Sequence, residues 1–300
     1  MQILTIGELL WDVFSETEFL GGAPLNFSVG AQRLGNSVTL VSAVGQDARG
    51  SRAIQFMTEL RLTIDFVQVV PGRHTGTARV TTDSCGNASY FIQRPAAFDD
   101  LVLNDALLSQ LTSLQPQWIY FGTLSQTNQT NEDLLHRLVQ QLPSSKCLYD
   151  MNLRDGHWNL SLVQRLSELA SVAKLNENEA ETLFRMIRTS EEFSLEEFCR
   201  YWSSTFQIDT ICVTRGREGC GIFTDDTLYL FEGFAVDVID TVGAGDAFAA
   251  AFLHGQILDW PVARTASFAN ALGALVASRP GATPAWTADE CLRLISDSGE

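Results

Sequence analysis

Short apolar runs alternate along the chain with longer segments whose apolar residues recur at helical spacing. The short runs predict buried strands at 2–6, 38–44, 118–122, 147–150, 171–175 and 210–214. The longer segments predict helices at 26–34, 52–60, 105–114, 131–142, 159–170 and about 176–187. Strands that alternate with helices form parallel sheets covered on both faces. The pattern therefore predicts an α/β fold with a mostly parallel central sheet flanked by helices on both faces.

The alternation is interrupted between residues 65 and 93. Short alternating strands joined by Gly-, Pro- and Asn-rich turns are predicted at 66–70, 77–82 and 88–93. Hairpins inserted between strand–helix units predict a small separate sheet. We expect about 12–20 and 65–97 to form this sheet within a single domain spanning 1–300. It would act either as a lid over a site or as a dimerisation surface.

The end of the chain returns to strands and helices. The pattern predicts strands at 221–224, 228–231 and 234–239, and helices at 247–258, 261–278 and 287–297. The small residues of 240–248 join the last of these strands to the first of these helices. Such a turn presents free backbone N–H groups at the positive end of a helix, where a phosphate is the expected ligand.

Asp246 places a carboxylate inside this phosphate-binding turn. It can serve as a helix cap, or as a general base that deprotonates a hydroxyl group attacking a phosphate. Gly243 and Gly245 also match the first two glycines of a dinucleotide-binding motif, but Phe248 occupies the third glycine position. An NAD-dependent oxidoreductase is therefore disfavoured.

Other polar residues follow predicted strands or glycine turns. Asp12 and Arg154 come after strands whose carboxyl ends face the ligand-binding edge of an α/β sheet, although Asp12 can be a solvated loop residue and Arg154 can form a surface salt bridge. Asn26 follows the Gly21–Gly22 pair, where it can bind sugar hydroxyls or cap a helix.

Two further turns carry candidates for nucleotide binding. Asn176 and Glu179 have the spacing of a helix capping box, and Glu179 can also hold Mg²⁺ through water. The glycine-rich turn after the strand 210–214 can wrap phosphates or simply form a hairpin.

Composition narrows the choice of partners. The net charge of −16 leaves no basic stripe for nucleic acid or anionic membranes. The six cysteines lack metal-type spacing, which predicts reduced core residues of a cytoplasmic protein. The N-terminus has no basic segment before its first apolar run, and no apolar run approaches the roughly 18 residues of a membrane helix. We therefore expect neither a signal peptide nor a membrane span.

Together these motifs resemble the ribokinase-like (PfkB) family of sugar kinases, most closely its fructokinase-like members, over essentially the whole chain. The segments 21–35 and 240–248 resemble the two family signatures. The other similar segments are 174–179 (K-x-N-x-x-E), 213–219 (V-T-x-G-x-x-G), 90–99 (the return from the lid) and 150–154 (the fructokinase-type D-P-N-x-R). Met151 stands where proline is usual in the last of these.

The resemblance implies an ATP-dependent kinase with Asp246 as its catalytic base. The anion hole for the transferred phosphate would be formed by Gly243, Ala244 and Gly245, with Arg154 nearby. The implied sugar-binding residues are Asp12, Gly21, Gly22, Asn26, Arg94 and Asp246. The implied nucleotide-binding residues are Asn176, Thr214, Gly216, Gly219, Gly243, Gly245, Asn270 and Ala274. The implied metal positions are Glu179 for Mg²⁺ through water, and Asp240, Val242, Arg279 and Gly281 for a monovalent cation such as K⁺.

The segment 150–154 makes fructose the first choice of substrate. 2-Keto-3-deoxygluconate, ribose and nucleosides remain alternatives, because a few lid and loop side chains set the sugar specificity. A sensor of sugars or nucleotides that has this fold but no activity is a further alternative. The resemblance also implies a homodimer formed through the lid.

Overall fold

Two sheets and ten α-helices make up the computed structural model, which describes residues 1–14, 17–82, 88–189 and 191–297. The strands are β1 Gln2–Ile6, β2 Leu10–Val13, β3 Glu18–Gly21, β4 Ser37–Gly45, β5 Val67–Val70, β6 Gly76–Thr82, β7 Ala88–Gln93, β8 Trp118–Gly122, β9 Lys146–Asp150, β10 Val172–Asn176, β11 Thr210–Thr214, β12 Cys220–Thr224 and β13 Thr227–Phe231. The helices are α1 Ala23–Arg33, α2 Ala48–Glu59, α3 Asp105–Ser113, α4 Gln129–Gln141, α5 Leu160–Ser167, α6 Glu177–Ile187, α7 Leu195–Phe206, α8 Ala244–Ile257, α9 Val262–Ala277 and α10 Ala288–Asp297.

The large sheet has nine strands in the order β13-β12-β11-β10-β9-β8-β1-β4-β5. Its strands pair in parallel from β5 to β11, while β12 and β13 add an antiparallel edge. Successive residues of one strand face opposite sides, so Ile119 packs into the core with α3 to α7, and Tyr120 packs beneath α1, α8 and α9. The prediction of a mostly parallel sheet with helices on both faces is confirmed.

The small sheet has four strands in the order β3-β2-β6-β7. One of its faces carries Leu10, Asp12, Ala78 and Ile92, which line a cavity at the carboxyl edge of the large sheet. The function of this sheet as a lid stays a prediction. The expectation that 66–70 belongs to it is wrong, because β5 pairs with β4 at the edge of the large sheet.

Two further predicted boundaries differ from the structure. The segment 234–239 forms no strand: its residues line a cavity wall, and the Ile239 N–H donates to the carbonyl of Ala277 in α9. Helix α1 begins at Ala23 rather than at Asn26, because Pro24 fits the first helical turn and Gly22 takes the N-cap position. Asn26 therefore lies inside the helix, where its side chain is free to serve the site.

Candidate active site

A cavity of about 380 Å³ lies between the carboxyl edge of the large sheet and the small sheet. Open α/β sheets bind ligands at this edge. The residues predicted for the site that line this cavity are Asp12, Gly22, Asn26, Arg154, Asn176, Glu179, Thr214, Val242, Gly243, Gly245 and Asp246. The fold thus brings together candidates from four widely separated parts of the sequence.

The N-terminus of α8 forms one end of the cavity. Gly243, the N-cap residue, has φ 78°, and a Cβ atom there would lie 2.2 Å from the carbonyl oxygen of Ala282. Only glycine fits this position, since both the backbone conformation and the space exclude a side chain. The backbone of this first turn can therefore lie close to an anion at the positive end of the helix, where the Ala244 N–H also donates to the Thr241 carbonyl at 3.3 Å.

Asp246 is buried in this first turn and lines the cavity. The Asn26 amide donates a hydrogen bond of 2.8 Å to its Oδ2, which fixes the carboxyl group in position. Burial and the charge of Asp150 raise the pKa of Asp246 to about 6, against the opposing effects of Lys174, Asn26 and Arg154. The carboxyl group is then mostly ionised at neutral pH and has the proton affinity that a general base requires.

Glu8 and Asp12 bring two more carboxyl groups to the same cavity. Burial raises the pKa of Asp12 to about 7, and burial likewise raises the pKa of Glu8 to about 7. The Glu8 Oε2 atom is buried and has no hydrogen-bond partner among the described residues. Arg154 lowers the pKa of all three carboxyl groups, so its guanidinium lies within electrostatic reach of each. Gly21 packs directly against Asp12. A Cβ atom on Gly21 would lie 2.7 Å from the Oδ2 atom of Asp12.

Lys174, the first residue of the 174–179 segment, also lines the cavity, and the sequence alone gave it no role. Its Nζ atom lies 3.0 Å from both carboxyl oxygens of the fully buried Asp150. The Tyr120 hydroxyl also donates to Asp150, at 3.0 Å. Lysine and aspartate stand opposite each other on neighbouring strands, so only strand pairing could have revealed this contact. Glu8 was missed for a similar reason, because nothing in its local sequence indicates a buried carboxyl group.

Asn176 and Glu179 form the predicted capping box at the start of α6. One Glu179 oxygen accepts the Asn176 N–H at 2.8 Å, and the other accepts the Leu153 N–H at 2.7 Å. The second contact ties the loop that carries Arg154 to α6. Both residues also line the cavity, so capping does not exclude a role in ligand binding.

Arg94 lies elsewhere. Its guanidinium pairs with Asp99 and donates to the carbonyl of Leu124 and to the hydroxyl of Thr127. It lines a separate cavity of about 410 Å³ between α4 and α5. The structure therefore does not bring Arg94 to the cavity that contains Asp12 and Asp246.

A second cavity, of about 910 Å³, adjoins the first and has mostly apolar walls. It contains the predicted nucleotide-side residues Thr214, Gly216, Gly219, Gly245, Asn270 and Ala274. The two cavities share Thr214, Thr241 and Gly245, so they meet at the N-terminus of α8. This arrangement can hold a flat apolar group on one side, a small polar molecule on the other and an anion between them.

Asp240 joins the positions predicted for a monovalent cation. Its carboxyl oxygens accept the backbone N–H groups of Val242 and Gly281, each at 3.0 Å. Arg279 lies in the same loop as Gly281, and its side chain pairs with Glu290. In the described ranges, no group of three or more His, Cys, Asp or Glu residues is arranged to hold a metal ion.

Residues 4–289 match the model of the pfkB family carbohydrate kinases. The chain belongs to this family. As a member it is a carbohydrate kinase, an enzyme that transfers a phosphoryl group to an alcohol, and the earlier resemblance is confirmed. In the described part of the chain, no helix combines the length and the apolar character that a membrane span requires.

Several relatives of this pfkB kinase are fructokinases. The fructokinase of Vibrio alginolyticus is 28% identical over 314 residues, which cover 98% of this chain and 99% of that protein. The fructokinase of Salmonella typhimurium is 26% identical and covers 95% of each chain. Among solved structures, a double mutant of the Vibrio cholerae O395 fructokinase in its fructose-, ADP- and potassium-bound form has a TM-score of 0.84 at 25% identity over 98% of each chain. The ATP-bound fructokinase of Xylella fastidiosa has a TM-score of 0.87 at 24% identity, covering 100% of this chain and 99% of that one.

Proposed function

We propose that this pfkB kinase is an ATP-dependent fructokinase and that Asp246 is its general base. The observation that carries the proposal is the position of Asp246, which is buried beside Gly245 where the two cavities meet. A hydroxyl group of a sugar in the first cavity can contact this carboxylate. A nucleotide in the second cavity can direct its terminal phosphate to the N-terminus of α8. The fructokinase relatives support fructose over 2-keto-3-deoxygluconate, ribose or a nucleoside.

In this mechanism Asp246 accepts the proton of a primary hydroxyl group as the oxygen attacks the γ-phosphate of ATP in line. Asn26 holds the carboxylate so that its other oxygen remains available to the sugar. The backbone N–H groups of Gly243, Ala244 and Gly245 stabilise the negative charge that develops on the transferred group. Asp12 and Gly22 bind the sugar hydroxyls, while Arg154 offsets the negative charge of this cavity.

Mg²⁺ would enter the site with the phosphates of the nucleotide, near Asn176 and Glu179 in the first cavity. This ion keeps several waters when it binds to a protein, and it binds mainly to the phosphates of the substrate. Glu179 would hold such waters, with Asn176 nearby, and the bound ion would neutralise phosphate charge. We place a monovalent cation, K⁺, beside Asp240, Val242, Arg279 and Gly281. The potassium-bound form of the Vibrio cholerae fructokinase supports K⁺ as the choice of ion.

We further propose that the enzyme is a cytoplasmic homodimer that associates through the small sheet. The described cysteines are free and buried, which suits a reducing compartment. Phe91 on β7 is 69% exposed, as expected of an apolar residue that a second subunit covers.

Replacing Asp246 by Asn tests the proposed base. The amide keeps the shape of the side chain but cannot accept the proton, so we expect kcat to fall about 10²-fold or more. Release of ADP, measured with fructose, 2-keto-3-deoxygluconate, ribose and nucleosides, with and without K⁺, gives both the rate and the substrate. Asp259→Asn, at an exposed position just beyond the C-terminal end of α8, is the matched control and should retain kcat within about twofold. A folded Asp246→Asn variant with near-normal turnover contradicts the role of the base.

A further inference from the structure

The cavity that Arg94 lines takes no part in the proposed function. Its volume of about 410 Å³ is close to the 380 Å³ of the first cavity, so it has room for a molecule the size of a hexose. Its walls come from the segment after β8, from α4, from the loop between β9 and α5, and from α5. We call it the α4–α5 cavity.

Gln126 gives the α4–α5 cavity a hydrogen-bond acceptor that the protein leaves unused. Its side chain is fully buried and lines the cavity. The Nε2 atom donates to the Ser125 hydroxyl at 2.9 Å, while the Oε1 atom has no hydrogen-bond partner among the described residues. Buried amide oxygens are rarely left unpaired, because the hydrogen bond that they lose to water costs free energy. A bound molecule that donates a hydrogen bond would pair this oxygen.

Glu132 adds further acceptors to the same cavity. One oxygen of its buried carboxylate accepts the Arg165 Nε–H at 2.6 Å, and the other accepts an Nη2–H at 2.9 Å. Each oxygen keeps a lone pair for another donor. Arg165 neutralises the charge of Glu132, and Asp99 neutralises that of Arg94. The cavity therefore offers acceptors without a net charge that would select an anion or a cation.

His157 and Trp158 complete the wall on the side of the loop between β9 and α5. Burial and the charge of Arg94 lower the pKa of His157, so its ring is neutral at neutral pH and has one donor and one acceptor nitrogen. Trp158 is half-buried and provides an aromatic surface on which C–H groups can pack. Paired charges, spare acceptors and an aromatic wall suit a neutral molecule that carries several hydroxyl groups.

We propose that the α4–α5 cavity is a second, non-catalytic binding site for a neutral sugar or polyol. Hydroxyl groups of the ligand donate to Gln126 Oε1 and to a Glu132 oxygen, and the carbon skeleton packs against Trp158. A hydroxyl group is suited to these contacts because it donates to one neighbour while it accepts from another, such as the His157 ring. This binding does not depend on the kinase proposal.

Two segments connect the α4–α5 cavity to the first cavity. Leu124 lines the first cavity, and its carbonyl accepts an N–H of Arg94 at 3.2 Å. Arg154 also lines the first cavity, and its carbonyl accepts the His157 N–H at 2.9 Å. A ligand that contacts Arg94 and His157 can therefore change the affinity of the first cavity for its own ligand. We expect the bound polyol to alter the KM for the sugar substrate, a part of the inference that rests on the proposed function.

The probes for the site are D-sorbitol, D-glucose and D-fructose. Crystals of the wild type soaked in each sugar should show at least one probe beside Gln126, and calorimetry with sorbitol and glucose gives the Kd. Gln126→Met keeps the length of the side chain but removes the acceptor, so the Kd should rise about tenfold. Gln140→Met makes the same substitution at an exposed position of α4, outside all three cavities, and should leave the Kd unchanged.

Three results would overturn the proposed site. They are an ordered water alone beside Gln126 with every probe, density in the crystal without measurable binding in solution, and a Kd that Gln126→Met leaves unchanged. The soaked crystals of the wild type decide the question if the Gln126→Met variant does not fold.

Kinetics tests the connection between the two cavities. Saturating sorbitol should change the KM for fructose about twofold or more in the wild type and in Gln140→Met, but not in Gln126→Met. Sorbitol that binds beside Gln126 without altering this KM would overturn the connection. If the wild type phosphorylates no sugar, the kinase proposal fails, whereas the crystals and the calorimetry still decide whether the α4–α5 cavity is a binding site.

Discussion

Glu8, Asp12 and Asp246 concentrate three carboxyl groups in one buried cavity. Each has a raised pKa, chiefly because burial disfavours its ionised form. Asp246 has an amide partner, but Glu8 has one oxygen without any partner among the described residues. The cost of ionising such a group appears as a dependence of stability on pH.

Replacing Glu8 by Gln should make the protein relatively more stable at high pH. The folded-state pKa of Glu8, about 7, lies above its ordinary value of 4.5, so its contribution to stability is full below pH 4.5 and is lost as pH rises through 7. Glutamine does not ionise, so the Glu8→Gln variant does not lose this stability as the pH rises. The free energy of unfolding of Glu8→Gln relative to wild type should therefore increase by about 3 kcal/mol between pH 4.5 and 8, at roughly 1.4 kcal/mol per pKa unit.

Urea denaturation of both proteins across this pH range measures the difference. Glu59→Gln replaces an exposed carboxylate on α2 and should show no such trend. If the difference in the free energy of unfolding between Glu8→Gln and wild type is constant across this pH range, the pKa of Glu8 is not raised in the folded protein.

At the scale of elements, local turns were predictable and long-range pairings were not. The turn at 240–248 was recognisable because its glycines and Asp246 lie close together in sequence. The contact between Lys174 and Asp150 depends on which strands are neighbours, and the local sequence does not specify that. The run 234–239 has the composition of a strand, yet its backbone meets α9 and a cavity instead of a sheet edge. Arg94 lines a different cavity from Asp12 and Asp246 because Asp99, five residues away, holds its guanidinium.

The turn between β11 and β12 offers a prediction about two neighbouring glycines. Gly219 has φ 92°, and its Cβ atom would lie 2.1 Å from the carbonyl oxygen of Phe231, whereas Gly216 has φ 58° and no atom within 4 Å of its Cβ position. Alanine at 219 must displace the backbone of the nucleotide-side cavity, so we expect the KM for ATP to rise about tenfold or more. Alanine at 216 adds only about 1–2 kcal/mol of backbone strain.

Steady-state kinetics of Gly216→Ala and Gly219→Ala, with Tm as a check on folding, separates steric clash from strain. The proposed role of this turn fails if both variants have the same KM for ATP as the wild type.

At the scale of the whole molecule, the carboxyl edge of the large sheet explains why distant motifs converge. The first sixty residues and the small sheet supply Asp12 and Asn26, and the chain after β9 supplies Lys174, Thr214 and α8. The α/β class followed from periodicity, because strands and helices alternate regularly. The membership of β5 in the large sheet did not follow, since its sequence does not distinguish an edge strand from a hairpin strand.

The division into two cavities predicts that sugar and nucleotide binding can be disturbed separately. Ala274 on α9 lines the apolar cavity and is absent from the walls of the sugar-side cavity. Phenylalanine there occupies space that we assign to the adenine, so the Kd for ADP should rise about tenfold or more. The Kd for fructose should change by less than about twofold, because Asp12, Asn26 and Asp246 are untouched.

Isothermal titration calorimetry with each ligand alone measures the two affinities. Ala263→Phe makes the same substitution on an exposed position of α9, outside both cavities, and should alter neither affinity. If Ala274→Phe weakens fructose and ADP equally, the two ligands do not occupy separate cavities. Unchanged ADP binding would instead place the nucleotide outside the apolar cavity, because a phenyl ring at 274 leaves no room for an adenine beside α9.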